Sequence, residues 1–494
     1  MRFLNNIISY KKKGELSLFV AILIVALVAS LVALSIANNG VAGGAVIVLL
    51  TAAPIVLYCI LRFPRFGVLL FLVMSYFIMF IIKLGLVNFP LGTIMDGFLL
   101  LLLIGFLINQ KTEPNWSIFN NSISAIIIAW ILYNFIEIIN PQAESRLAWL
   151  YTIRSLAAVM LSYFIFMYQI KSIQFVRLII IIWLGMSLIA ALYGLKQEFF
   201  GFSAFEQRDL DNNPLLAGLL FIDGHWRKFS VFADPISFSY NMNVSAILCI
   251  GLQFGPFSRA IKVGLIFMAI LFLYAMLFSG TRAAYVLLPM AMSLLFILNL
   301  NFRMMLIGIV FGLCFFILIF IPTSNYTLYR FQTAFKPSDD ASYNVRANNQ
   351  KKIQPYIRSH PMGGGLGASG ATGAKFSPNS YLGQFPPDSG YVRAAVEQGW
   401  IGLILLCSIF CIALVKGINN YFKIKDPELK SYCLSVTLII FALCVGNFPQ
   451  EGLIQYPLNV YFCLFMALIN ITLSLDKQNL NKADKARVDE SNQS

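Results

Sequence analysis

The sequence predicts an all-α membrane protein: one polytopic helix bundle of about fourteen spans, with a long polar loop between spans 11 and 12. Three observations carry that expectation. The chain has 494 residues, of which 59% are hydrophobic and only 12% charged; soluble domains carry about 25% charged residues. Apolar runs close to the ~20 residues that cross a bilayer recur along the whole length. The one long polar interval, 323–402, stands out against them and carries Arg330, Lys336, Arg346, Lys351, Lys352 and Arg358. A loop this basic, held against a membrane, suits an anionic headgroup. The net charge of +14 does not indicate nucleic acid, because the basic residues sit in loops between apolar runs, where orientation signals belong.

The runs, in order, are 16–37, 41–61, 66–84, 93–109, 120–139, 149–169, 177–196, 236–254, 261–279, 283–300, 304–322, 390–415, 431–448 and 456–474. The first follows Lys11, Lys12 and Lys13 and is too long for the apolar part of a signal peptide, so it reads as a retained span. Alternate loops collect cations: Arg62 and Arg65, Lys111, Lys171 and Arg177, Arg259 and Lys262, Arg303, and Lys416 to Lys430. The positive-inside rule puts those loops and both termini in the cytoplasm. Two basic segments, 197–235 and 323–389, then fall on the outer side. The first contains Phe199, Phe200, Phe202 and Phe205, which predicts short helices at the outer interface. Residues 1–475 read as one membrane domain and 476–494 as a polar, disordered cytoplasmic tail. The eight cysteines all fall in apolar runs and read as packing residues.

Several residues point to chemistry. Arg282, in Ser279-Gly280-Thr281-Arg282, lies at the outer end of two spans with almost no loop between them. It reads as an interfacial anchor or as a fork for a ligand phosphate. Arg227 stands just before Asp234-Pro235, a helix-start signal, and has the same two readings. Arg154 lies inside the sixth span, where a charge marks either function or an ion pair, here with Glu137 or Glu144. After His360-Pro361, the glycine turn at 363–367, with Gly365 and Gly367, permits either a tight reversal or amide binding of an anion. Asp388 reads as a helix cap or as a general base at the mouth of span 12. Arg393 and Glu397, four apart on one helix face, read as a pair. His225 and His360 are the only histidines, and no metal-ligand spacing or nucleophile–histidine arrangement is present in the sequence.

Taken in order, these motifs resemble the O-antigen ligase and polymerase superfamily. They are Arg227 with Phe232-Ala233-Asp234-Pro235, then Ser279-Gly280-Thr281-Arg282, then His360-Pro361 with its glycine turn. The family closes with His-Asn, nine residues and Gly-x-x-Gly; here Asp388-Ser389 is followed by nine residues and Gly399-Trp400-Ile401-Gly402. The resemblance spans roughly 225–415. It implies a glycosyltransferase of the bacterial inner membrane, working on the outer side without nucleotide sugar, metal or other cofactor. Its partners would be undecaprenyl-diphosphate-linked glycans, the lipid bilayer and other polysaccharide assembly proteins. On that basis Asp388, Arg282 and Arg227 are the expected catalytic residues. Arg154, Arg346, Arg358, His360, Gly365, Gly367, Arg393 and Glu397 are the expected substrate-binding residues. The histidine that the family uses is Asp388 here, a departure that fits the more variable polymerases better than the ligases. A ligase moving finished glycan to a lipid core or protein is the second reading. A lipid-linked sugar transporter is the third, disfavoured by the lack of an internal repeat.

Overall fold

The computed structural model describes residues 29–37, 51, 54, 56–85, 91–222, 224–335 and 341–491. The first two expected spans lie largely outside them, as does Lys336. Among the described residues, eleven helices are long and apolar enough to cross a membrane, from Pro64–Lys83 to Leu458–Lys482, and a shorter apolar stretch covers Arg282–Leu298. Each overlays an apolar run read from the sequence. The protein is a membrane-embedded α-helical bundle. The only strands among the described residues are a two-residue antiparallel pair, Phe221–Ile222 with His225–Trp226.

Local chemistry sets the helix starts. Asn121, Ser145, Ser172, Asp234, Ser258, Asn301, Ser389 and Asp426 each cap a helix, their side chains accepting a first-turn N–H. Each cap satisfies one of the orphan donors that a helix end leaves open. The helices Pro235–Leu252 and Pro427–Gly446 and the part of Leu458–Ser491 up to Asp476 form the buried centre. Phe302–Phe320 has no buried residue and lies at the periphery. In a bilayer, lipid is as apolar as leucine, so close packing and interhelical hydrogen bonds hold such a bundle, at about 0.6 kcal/mol per bond. Tyr76, Ser187 and Ser245 make one such chain across three helices, with O–O distances of 2.9 and 2.7 Å.

Two expectations change. The last helix runs unbroken to Ser491, so the segment from 476 onward is helical where a disordered tail is expected. Its Lys, Ala, Leu and Arg residues and lack of Gly or Pro permit the central helix to continue past the apolar run. Span 12 is two helices, Gly390–Glu397 and Gly399–Lys423, broken at Gly399 with a φ of 66°. A Cβ there would stand 2.0 Å from the Pro361 carbonyl oxygen, so glycine alone permits that approach.

The segment 197–235 forms the helices Ala204–Asn212 and Pro214–Leu220. Phe200 and Leu215 are more than four-fifths exposed, as interfacial residues are. This segment, the long loop 321–389 and the loop 447–457 all gather at one end of the bundle.

Candidate active site

Two charged groups sit at that end. The first is cationic and is built on the turn between Arg259–Leu277 and the helix beginning at Arg282. Arg227 donates from Nε to the Ser279 carbonyl at 3.0 Å and from Nη2 to Thr281 Oγ1 at 3.0 Å. Gly280, with a φ of 58°, lies under both Arg227 and Arg330: a Cβ there would be 3.3 Å from the Arg330 guanidinium carbon and 3.5 Å from Arg227 Cγ. Arg330, on the helix Tyr326–Thr333, is buried and donates to the Tyr326 hydroxyl. Tyr285 lies within electrostatic reach of Arg227, Arg282, Arg330 and Tyr326. Arg227 is pushed down to about 10, first by burial and then by the neighbouring charge of Arg330. An arginine whose charge is opposed in this way favours an arriving anion. A cavity of about 240 Å³ opens here, lined by Arg227, Arg330, Tyr285, Tyr326, His225 and Gly280. His225 stacks on Tyr326 with ring centroids 3.8 Å apart.

The second group is rich in carboxylates. Ser389, not Asp388, caps Gly390–Glu397, through its side chain and the Val392 N–H. That removes capping as the account of Asp388. Asp388 has a φ of 50°, a strained region that Asp, Asn and His enter more readily than other residues. Burial holds its carboxyl above the usual range, while Arg346 and a hydrogen bond with Asn349 oppose that rise. Arg393 pairs with Glu397 at 3.1 Å and with Glu451 at 2.8 Å. Glu451, in the loop 447–457, has its Oε1 buried without a hydrogen-bond partner among the described residues. Burial raises its carboxyl, Arg393 opposes that rise, and Glu397 and Asp388 add to it.

The glycine turn has an occupant from within the chain. Gly367 N–H donates to Glu397 Oε2 at 2.9 Å, and Ser369 donates from N and Oγ to Oε1 at 3.2 and 2.7 Å. Gly365 N–H donates to the Glu397 carbonyl at 2.9 Å. The amides do bind an anion, and that anion is Glu397. A Cβ at Gly365 would meet Ala143 Cβ at 2.4 Å, and one at Gly367 would meet Thr152 Oγ1 at 2.3 Å. These glycines, with Glu397, therefore lock the long loop to the half-helix before Gly399.

The other expected residues are spread out. Arg154 pairs with Asp96 at 2.6 Å, not with Glu137 or Glu144. Arg346 joins Asp388. Arg358 is exposed on the far part of the helix Ala341–Ser359. His360 stacks on Tyr356 at 3.9 Å. The structure thus brings together Arg227 with the turn holding Arg282, and Asp388 with Arg346. Sequence reading missed Arg330 and Glu451 as site members. Tyr326 and Arg330, four apart on one helix face, were the available signal for the first. Glu451, in a short loop between two apolar runs, gave a weaker one.

The start of Pro235–Leu252 links the two groups. Thr281 Oγ1 donates to the Pro235 carbonyl at 3.2 Å, and Ser237 Oγ donates to Gln455 Oε1, in the loop of Glu451, at 2.8 Å. Below them, the Tyr240 hydroxyl donates to the Gly446 carbonyl at 2.6 Å and lies within electrostatic reach of Arg346.

Residues 267–407 match the family model described as O-antigen ligase. The match takes in Arg282, Arg330, Arg346, Asp388, Arg393 and Glu397, and leaves out Arg227 and Glu451. No curated protein matches the chain. The matched stretch covers this charged end of the bundle and is similar to a family whose members transfer glycans.

Proposed function

We propose that the protein is a polysaccharide polymerase of the bacterial inner membrane. It would join oligosaccharide repeat units carried on undecaprenyl diphosphate, on the outer side of that membrane. The observation that supports this reading is that Arg227 and Arg330 both pack against Gly280, where burial first and the charge of Arg330 second oppose the charge on Arg227. A diphosphate relieves that repulsion and matches the fork geometry of arginine.

Arg227, Arg282 and Arg330 hold the donor's diphosphate and offset the charge that grows on it as the bond to the sugar breaks. Asp388 accepts the proton from the acceptor hydroxyl. The acceptor oxygen bonds to the anomeric carbon, and the electron pair of the broken bond leaves with the lipid diphosphate. Attack opposite that leaving group inverts the anomeric centre. Glu397 and Arg393 hold the half-helix that follows Asp388.

A deletion strain tests the polymerase reading. Loss of long chains, with single repeats still attached to the surface acceptor, supports it. Long lipid-linked chains that never reach their acceptor would establish the ligase instead. Transport is tested with purified protein in liposomes: chain lengthening with all substrate on the outer side excludes it as the main function.

A further inference from the structure

The helix Ala341–Ser359 carries more than Arg346 and Asn349. Seven residues beyond Asn349, two turns along the same face and about 10 Å away at 1.5 Å per residue, stands Tyr356. It lines a surface cleft with Gln142, Glu144, Ser377, Ser380 and Tyr381. Tyr381 lies 62% exposed, its ring centroid 5.9 Å from that of Tyr356. Behind Tyr356, His360 stacks at 3.9 Å with an interplanar angle of 8°, which fixes the tyrosine ring. Ser380 Oγ accepts the Gly383 N–H at 2.8 Å, which leaves its own proton to donate. Glu144 acts on the Tyr356 hydroxyl electrostatically and so faces the same space.

We propose that this cleft is a carbohydrate subsite, which holds a sugar of the acceptor glycan beyond the one that reacts at Asp388. The inference rests on the glycosyltransferase reading above. A pyranose ring presents C–H groups on one face and hydroxyls around its edge. The cleft offers tyrosine rings to the first, and a carboxylate, an amide and two hydroxyls to the second. It lacks a cationic side chain among its lining residues, which separates it from the arginine cavity and from a phosphate ligand. Its place on the Asn349 face sets the glycan's course, from the reacting hydroxyl at Asp388 along the helix to Tyr381.

The test uses the full-length protein in lipid nanodiscs. The probe is the repeat-unit oligosaccharide released by mild acid from the lipid-linked pool of cells lacking the protein. Binding is read by saturation-transfer NMR and titration, and transfer is read separately with the intact lipid-linked donor. Wild type binds the free oligosaccharide; Tyr381→Ala and Glu144→Gln weaken binding at least tenfold, while Arg282→Ala binds it normally and loses transfer. The subsite is overturned if wild type binds no oligosaccharide, or if both cleft variants bind within twofold of wild type. It is also overturned if Arg282→Ala alone abolishes binding. Failure of the transferase reading shows elsewhere, as a wild-type protein that transfers no glycan.

Discussion

The two charged groups at this end of the bundle are built on opposite principles. Around Gly280, like charges are held together: Arg227 and Arg330 flank one glycine, and burial adds to the cost. Around Arg393, opposite charges meet: Glu397 and Glu451 share one guanidinium, and the glycine turn takes the remaining Glu397 capacity. An ion pair contributes shape, while like charges buried together favour an arriving anion. Within the second group Asp388 differs from Glu397 and Glu451: its carboxyl is raised, its backbone is strained, and Ser389 in its place caps the helix that follows. Sequence motifs alone do not separate these roles, because arginine, glycine and carboxylate occur in both groups.

The largest effect is expected on the cationic side. Arg282→Ala should cost about 10²–10³ in transfer rate, the scale of losing one preorganised donor to developing negative charge. Arg282→Lys should be nearly as damaging, because it keeps charge and loses the fork. Steady-state assays on purified protein check this, and a fully active lysine variant would reduce Arg282 to a membrane anchor. Arg330→Lys should behave like Arg282→Lys although the sequence did not single it out.

On the ion-paired side the effect should appear as lost stability. Glu397→Gln strips charge-assisted bonds from Gly367, Ser369 and Arg393. The expected cost is about 1–3 kcal/mol. Thermal unfolding in detergent should show it, with substrate affinity of the surviving protein little changed. A loss of affinity at unchanged stability would move Glu397 into the binding machinery. The smallest effect is expected at Ser389: its alanine variant loses one cap, about 0.5–2 kcal/mol, and keeps transfer activity.

Much of the fold was legible because apolar length is a one-dimensional signal. A run of about 20 apolar residues has few alternatives in a bilayer. Helix starts were legible where a capping residue preceded proline, as at Asp234. The continuation of the last helix past 476 was not, since polar helix and polar coil share a composition. In the site, Arg393 and Glu397 were readable from their spacing, while the described basic residues before 360 divide between the arginine cavity, Asp388 and exposed surface. The partner of Arg154 was not: Asp96 comes from a helix more than fifty positions earlier, and nothing local announces it. The glycine turn was ambiguous for a related reason. Its anion-binding amides were legible, but their ligand lies some thirty residues on, at Glu397.

The division of labour between the two groups is tested most directly at Asp388. Transfer by purified wild type and Asp388→Asn should be measured across pH with lipid-diphosphate-linked substrate. A base must be deprotonated to act, so the wild-type rate should rise with pH through one ionisation above the ordinary carboxylate range, where burial holds Asp388. Asn tolerates the same backbone conformation, so the variant should fold and insert normally. It should lose about 10²–10⁴ in rate together with that ionisation, and Asp388→His should restore part of the loss. An Asp388→Asn enzyme with full activity and an unchanged pH profile would contradict the account and leave the arginines to act without a protein base.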